Sequence, residues 1–128
     1  MLGAVKTLLV VHHTMTGGTL QMARAAAAGA AAEAGLTVRL VHARDAGAAD
    51  VLGADGYVFA TPENLAAVSG LMKDFFDRTY YPALGRIEGR PYALIVSAGK
   101  KHPVVLSCMG GDCTVADILH ALGLPWTR

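Results

Sequence analysis

Cysteine is scarce: the chain has two, Cys108 and Cys113. Their C-x4-C spacing is not the C-x2-C of a redox pair, and two thiols make no disulfide framework. Both read as ordinary thiols, and the expectation is a soluble cytoplasmic protein. Charge of one sign is missing as well. A formal net charge of +1 gives no general field for nucleic acid or an anionic membrane surface. Long apolar runs are absent: none reaches the roughly 18 residues that a membrane-spanning helix needs. The start, MLGAVKTLLVVHH, has no A-x-A site to close a signal peptide and runs straight into a strand-like pattern. What remains is 128 residues, 53% of them apolar. That is the material of a single domain with one real core.

Alternation of strands and helices organises the chain. Lys6 to His12 reads as a strand whose apolar run Leu8, Leu9, Val10, Val11 implies burial on both faces. Thr19 to Ala34 reads as an alanine-rich helix closed by Gly35. Leu36 to His42 alternates apolar and polar residues and so belongs at a sheet edge. A short helix over Ala46 to Leu52, a buried strand over Gly56 to Ala60, a helix over Val68 to Thr79 and a buried strand over Tyr92 to Ser97 follow. This order predicts an α/β fold with a parallel sheet and right-handed crossovers. Ligands of such sheets bind beyond the carboxyl ends of the strands. Three segments follow buried strands there: His13 to Gly18, Thr61 to Asn64 and Ser97 to Gly99.

The first segment has the chemistry of an anion site. Thr14, Thr16 and Thr19 offer hydroxyls, Gly17 and Gly18 allow close backbone approach, and a helix N-terminus follows. Rival phosphate motifs fail on particular residues. A P-loop needs Lys where Thr19 stands. A dinucleotide fingerprint needs G-x-G-x-x-G, and only Gly17-Gly18 is present. A phospho-receiver would carry acids where His12, His13 and Thr61 stand. The plain alternative is a glycine-rich turn whose threonines cap a helix.

These segments resemble a known family. TMTGGT (Thr14 to Thr19) is similar to the phosphate loop of flavodoxin-like FMN proteins. GYVFATPENLAAVSGLMKDFFDRTYYP (Gly56 to Pro82) resembles the second flavin loop and following helix of flavodoxin-like NAD(P)H-dependent FMN and quinone reductases. RPYALIVSAG (Arg90 to Gly99) resembles their fourth strand and third flavin loop. The resemblance implies a flavodoxin-like three-layer sandwich with strand order 2-1-3-4 and a fifth strand missing or atypical. It implies bound FMN. Thr14, Met15, Thr16, Gly17, Gly18 and Thr19 would hold the phosphate, Thr61, Pro62, Glu63 and Asn64 would lie along the ring edge, and Ser97, Ala98 and Gly99 would flank its other side. FMN would then carry the redox chemistry. NAD(P)H is the implied reductant, and a quinone, a flavin or another small molecule is the implied electron acceptor, with a homo-oligomer as an option. Near-neutral charge, and Leu65 where related loops often place an aromatic ring, favour a reductase. The alternatives are a flavodoxin-type electron-transfer module and an incomplete flavodoxin-like protein that binds its cofactor weakly.

The remaining motifs read as structural. His12-His13 lacks the further ligands of a zinc site. Lys73, Asp74, Asp77 and Arg78 form the wet face of a helix, and Tyr80 is a weak candidate for a substrate-side position. After Gly99 the family pattern stops. Val104 to Ser107 reads as a strand, but residues 98–103 are too few for a parallel crossover, which takes a dozen or more. Thr114 to Leu122 reads as a helix with Val115, Ile118, Leu119 and Leu122 on one stripe. A truncated or frame-shifted tail, leaving a four-strand sheet with an improvised cover, is the expectation.

Overall fold

The computed structural model of the protein describes residues 5–98 and the backbone of 104–108. The elements run β1 (Lys6–His12), α1 (Gly18–Ala31), β2 (Leu36–His42), α2 (Ala48–Gly53), β3 (Gly56–Asn64), β4 (Ala67–Val68), α3 (Gly70–Ala83), β5 (Tyr92–Ser97) and β6 (Val104–Cys108). The sheet order is β2-β1-β3-β5-β6, with β4 paired to β3 alone. β2, β1, β3 and β5 are parallel. β6 returns antiparallel along β5, from Ser97 opposite Val104 to Ala93 opposite Cys108. The expected α/β flavodoxin-like architecture is present, and its last strand is atypical. The connection from β5 is too short for a crossover, so β6 can only turn back as a hairpin.

Two cores lie on opposite faces of the sheet. Val10, Val58, Ala60 and Ile95 pack against Ala23 and Ala26 of α1. Leu9, Val11 and Tyr57 pack with Val51 of α2 and with Met72, Phe75 and Ala83 of α3. The small side chains of α1 let it lie close to the sheet. Burying a side chain such as Leu9 or Phe75 contributes about 1.5–3 kcal/mol. β2 alternates half-buried and exposed residues along most of its length, as an edge strand should.

Four local readings are corrected. Helix α1 stops at Ala31, short of Ala34, and Gly35 (φ +75°) belongs to the turn whose carbonyl accepts from Lys6 N. Strand β3 runs through the expected loop 61–64 to Asn64, because Pro62 and Thr61 continue the pairing with Ser97 and Val96 of β5. Helix α3 continues past Thr79 through Pro82 to Ala83. Arg78 is not merely part of a wet helix face: its guanidinium donates to the carbonyls of Ala43 (2.7 Å) and Ala46 (2.8 Å). The helix expected over residues 114–122, like Gly99 and Cys113, lies outside the described residues.

The β3–β4 hairpin turns on Leu65 (φ +53°) and Ala66 (φ +60°), with Asn64 opposite Ala67. Both central residues are left-handed, the geometry that favours Asn-Gly. Each side chain there costs about 1–2 kcal/mol of backbone strain. Ala66→Gly is therefore expected to stabilise the fold by about 0.5–1 kcal/mol after the added flexibility of the unfolded chain is offset. A raised urea midpoint at unchanged slope is the measurement.

Candidate cofactor site

The carboxyl ends of β1, β3 and β5 open onto one cavity of about 380 Å³. It is lined by Met15, Thr16, Gly18, Thr19, Pro62, Asn64, Ser97 and Ala98. All three segments picked out in the sequence meet there. Among the described residues the lining holds hydroxyls, one amide and apolar groups, and no charged side chain.

The first segment is shaped by its own residues. Thr14 Oγ1 accepts from Gly17 N at 2.9 Å, and Gly17 is the N-cap of α1 in a left-handed conformation (φ +98°). No side chain caps this helix. Its first backbone bond runs from Gln21 N to Gly17 O (3.1 Å). The N–H groups of Gly18, Thr19 and Leu20 therefore have no intrahelical acceptor. A Cβ built at Gly18 meets no protein atom within 4 Å, so the backbone borders open space. Thr19 is buried, and its Oγ1 lies 2.6 Å from Ser97 Oγ. That contact ties the first segment to the third. Asn64 Nδ2 approaches Met15 Sδ at 3.3 Å and joins the second. Free N–H groups at a helix N-terminus, hydroxyl donors and, among the described residues, no carboxylate in the wall fit the phosphate of FMN.

Not every expected residue lines the cavity. Thr14 and Gly17 form the turn behind it. Thr61 is fully buried: its hydroxyl donates to Pro62 O (2.9 Å) and accepts from Ser69 N (3.0 Å). Glu63 turns to the hairpin and accepts from Ala66 N at 2.8 Å. Tyr80 lies on α3 in a separate groove.

The sequence did not single out Ser69, which caps α3 and sits at the centre of a buried network. Its Oγ is 2.7 Å from His13 Nδ1, accepts from Thr61 Oγ1 at 3.1 Å and accepts from Met72 N at 3.4 Å. The available signal was a serine directly before an amphipathic helix.

His12, His13 and His42 cluster beside this network, with ring centroids 5.3 Å (His12–His42) and 5.8 Å (His13–His42) apart. No metal-holding group of three or more ligands occurs among the described residues. Burial lowers the pKa of His12, and the charges of His42, Arg24 and His13 lower it further. Burial and His42 lower that of His13. An unfolded chain takes up protons below pH about 6.5, where these folded rings stay neutral. Stability should be constant above that pH and fall as the pH drops below it, by at most about 1.4 kcal/mol per pH unit for each ring. Urea midpoints between pH 8 and 5 would show the decline, and His12→Leu should flatten it.

Comparison with known proteins agrees with this geometry. A family model described as NADPH-dependent FMN reductase matches residues 46–108. A flavodoxin of Aquifex aeolicus is 40% identical over 92 residues, covering 72% of this chain and 50% of its own. An NAD(P)H dehydrogenase (quinone) of Acidithiobacillus ferrooxidans is 31% identical over 134 residues, covering 88% of this chain and 64% of its own. The chain thus spans between half and two thirds of the length of these curated relatives. Among solved structures, a flavodoxin of Streptococcus pneumoniae superposes with a TM-score of 0.61 at 26% identity, over 72% of this chain and 61% of that one. The family match reaches nine residues beyond Gly99, through the whole of β6. The order of the parallel strands, the cavity at their carboxyl ends and these likenesses lead to one placement: the chain has a flavodoxin-like α/β fold and is similar to flavodoxins and to the NADPH-dependent FMN reductase family.

Proposed function

We propose that the protein binds FMN in the cavity at the ends of β1, β3 and β5 and is an NAD(P)H-dependent oxidoreductase that reduces a quinone, a flavin or another small acceptor. The observation that carries this reading is the uncapped N-terminus of α1 opening on a cavity lined, among the described residues, by hydroxyls and no charged group. When bound, FMN supplies the capacity to take up and pass on hydride. The N–H groups of Gly18, Thr19 and Leu20 and the Thr16 hydroxyl would hold its phosphate. Pro62 and Asn64 on one side, and Ser97 and Ala98 on the other, would hold the ring. Thr14 and Gly17 set the loop, and Thr61 and Glu63 fix the second segment, rather than touching the cofactor.

A reductase is favoured over an electron carrier because, among the described residues, no aromatic side chain lines the cavity to cover the ring faces. Leu65, at the hairpin tip, is fully exposed. A nicotinamide or a flat acceptor would then have room to stack. The carrier reading draws support from the 40% identity to a protein named flavodoxin. Purification with FMN, followed by NADPH or NADH under nitrogen, separates the two. Bleaching of the flavin band by either nucleotide is the expected result. Reduction by dithionite alone would favour the carrier, and a colourless protein that takes up no FMN would overturn both.

A further inference from the structure

The first cofactor segment is short of positive charge. A phosphate monoester carries about −1.5 to −2 charges at neutral pH. The N-terminus of α1 offsets the equivalent of roughly half a charge. Among the described residues, no charged side chain lines the cavity to offset the rest. At least about one negative charge is left over.

Proton-binding groups lie directly behind this segment. His13 precedes Thr14, whose Oγ1 holds Gly17 N. His13 is half-buried and held at two points: its backbone N–H donates to Ala60 O at 3.0 Å, and its Nδ1 lies 2.7 Å from Ser69 Oγ at the start of α3. His42 of β2 meets the His13 ring edge-on at 5.8 Å. His12 is the next residue back along β1, and Arg24 of α1 acts on it. The acids of the surrounding elements are engaged elsewhere. Asp45, after β2, is paired with Arg44 (3.5 Å). On α3, Asp77 is paired with Lys73, and Asp74 with Arg78 (2.8 Å), whose guanidinium also reaches the carbonyls of Ala43 and Ala46. Glu63 of β3 accepts from Ala66 N. The charges that act on His12 and His13 are those of Arg24 and of the histidines themselves, all positive.

We infer that His13 takes up one proton when the phosphate of FMN enters the loop, and so supplies the missing counter-charge. The inference rests on FMN binding with its phosphate at the N-terminus of α1. The proton comes from solvent, the neutral imidazole becomes an imidazolium, and no other bond is made or broken. The neighbouring rings are poorer acceptors. His12 Nδ1 is buried without a hydrogen-bond partner, so a proton placed there would have nothing to donate to. His42 Nδ1 already accepts from Arg44 N at 3.0 Å, a bond that protonation would remove. His13 Nδ1 faces a hydroxyl, which can accept or donate and therefore suits either state of the ring. Linkage sets the sign. Burial and His42 keep His13 neutral in the protein alone at pH 7. A phosphate beside the loop favours the charged ring, so FMN affinity should rise as the pH falls, by at most about tenfold per pH unit for one proton.

Calorimetric titration of FMN into the parent protein at pH 7, in two buffers of different ionisation enthalpy, should show uptake of about half to one proton. The Kd for FMN should fall about three- to tenfold between pH 8 and pH 6.5, a range in which the free phosphate keeps most of its second charge. Riboflavin, which has the ring and no phosphate, should show neither effect. His13→Gln keeps a polar partner for Ser69 and loses the titrating group. Its FMN affinity should have no pH slope over this range. A residue that only braces the loop would weaken binding alike at every pH and leave the slope in place. His42→Gln removes one of the two causes that hold His13 neutral, so the slope should move to higher pH. Circular dichroism checks that each variant is folded, and the two-buffer calorimetry on the parent needs no variant. FMN binding without proton uptake, equal uptake with riboflavin, or a slope that survives in folded His13→Gln would each overturn the inference. A protein that takes up no FMN would overturn the cofactor reading, and this inference with it.

Discussion

A Thr16→Glu protein is expected to bind FMN at least about a hundredfold more weakly than the parent. Thr16 is exposed and lines the cavity where the α1 N-terminus opens. Among the described residues its neighbours in the lining are neutral. A carboxylate about 5 Å from a dianionic phosphate is repelled by at least about 3 kcal/mol, even at an effective dielectric constant of roughly 40. That corresponds to about two orders of magnitude in Kd. The substitution fills no core space, so the circular dichroism spectrum should match the parent's. Thr16→Ser keeps the hydroxyl and should bind within a few-fold of the parent. Titration of FMN fluorescence measures all three proteins. Equal Kd values for Thr16→Glu and the parent would remove the phosphate from this loop.

The parts of the fold that were legible are those whose signal is local. Unbroken apolar runs marked β1 and β5 and the first half of β3, and the alternation in Leu36 to His42 placed β2 at the edge. The TMTGGT segment carried its glycines and hydroxyls in plain view. What was not legible depends on neighbours distant in the chain. Pro62 looks like the start of a loop, yet it continues a strand because β5 lies alongside. Leu65 and Ala66 carry no turn signature; the pairing of Glu63 with Val68 forces them into left-handed geometry. The end of α1 is hidden in a run of alanines that suits helix throughout. Arg78 resembles any surface arginine until its guanidinium meets carbonyls more than thirty residues away. Thr61 was legible as part of the second segment, but which way its hydroxyl points was not, because that is set by Ser69.

Ser69→Ala should cost about 2–4 kcal/mol of stability. Ser69 has no exposed surface. Its oxygen accepts from Met72 N and lies 3.1 Å from Thr61 Oγ1 and 2.7 Å from His13 Nδ1. Alanine removes the helix cap, worth about 0.5–2 kcal/mol. It also strands the buried Met72 N–H and the His13 nitrogen, at about 1–3 kcal/mol for a lost buried partner. The two losses overlap, which gives the stated range. Urea unfolding measures it, and a change under about 1 kcal/mol would mean that the network is not held by this hydroxyl. Ser69 also joins the cofactor segments from behind: His13 directly precedes Thr14, and Thr61 directly precedes Pro62. A folded Ser69→Ala protein should therefore bind FMN about tenfold more weakly although Ser69 does not line the cavity, since a misplaced loop loses roughly 1.4 kcal/mol of contact. A purely structural cap would lower the urea midpoint and leave Kd unchanged, so measuring both quantities on one variant separates a cap from a brace between the two segments.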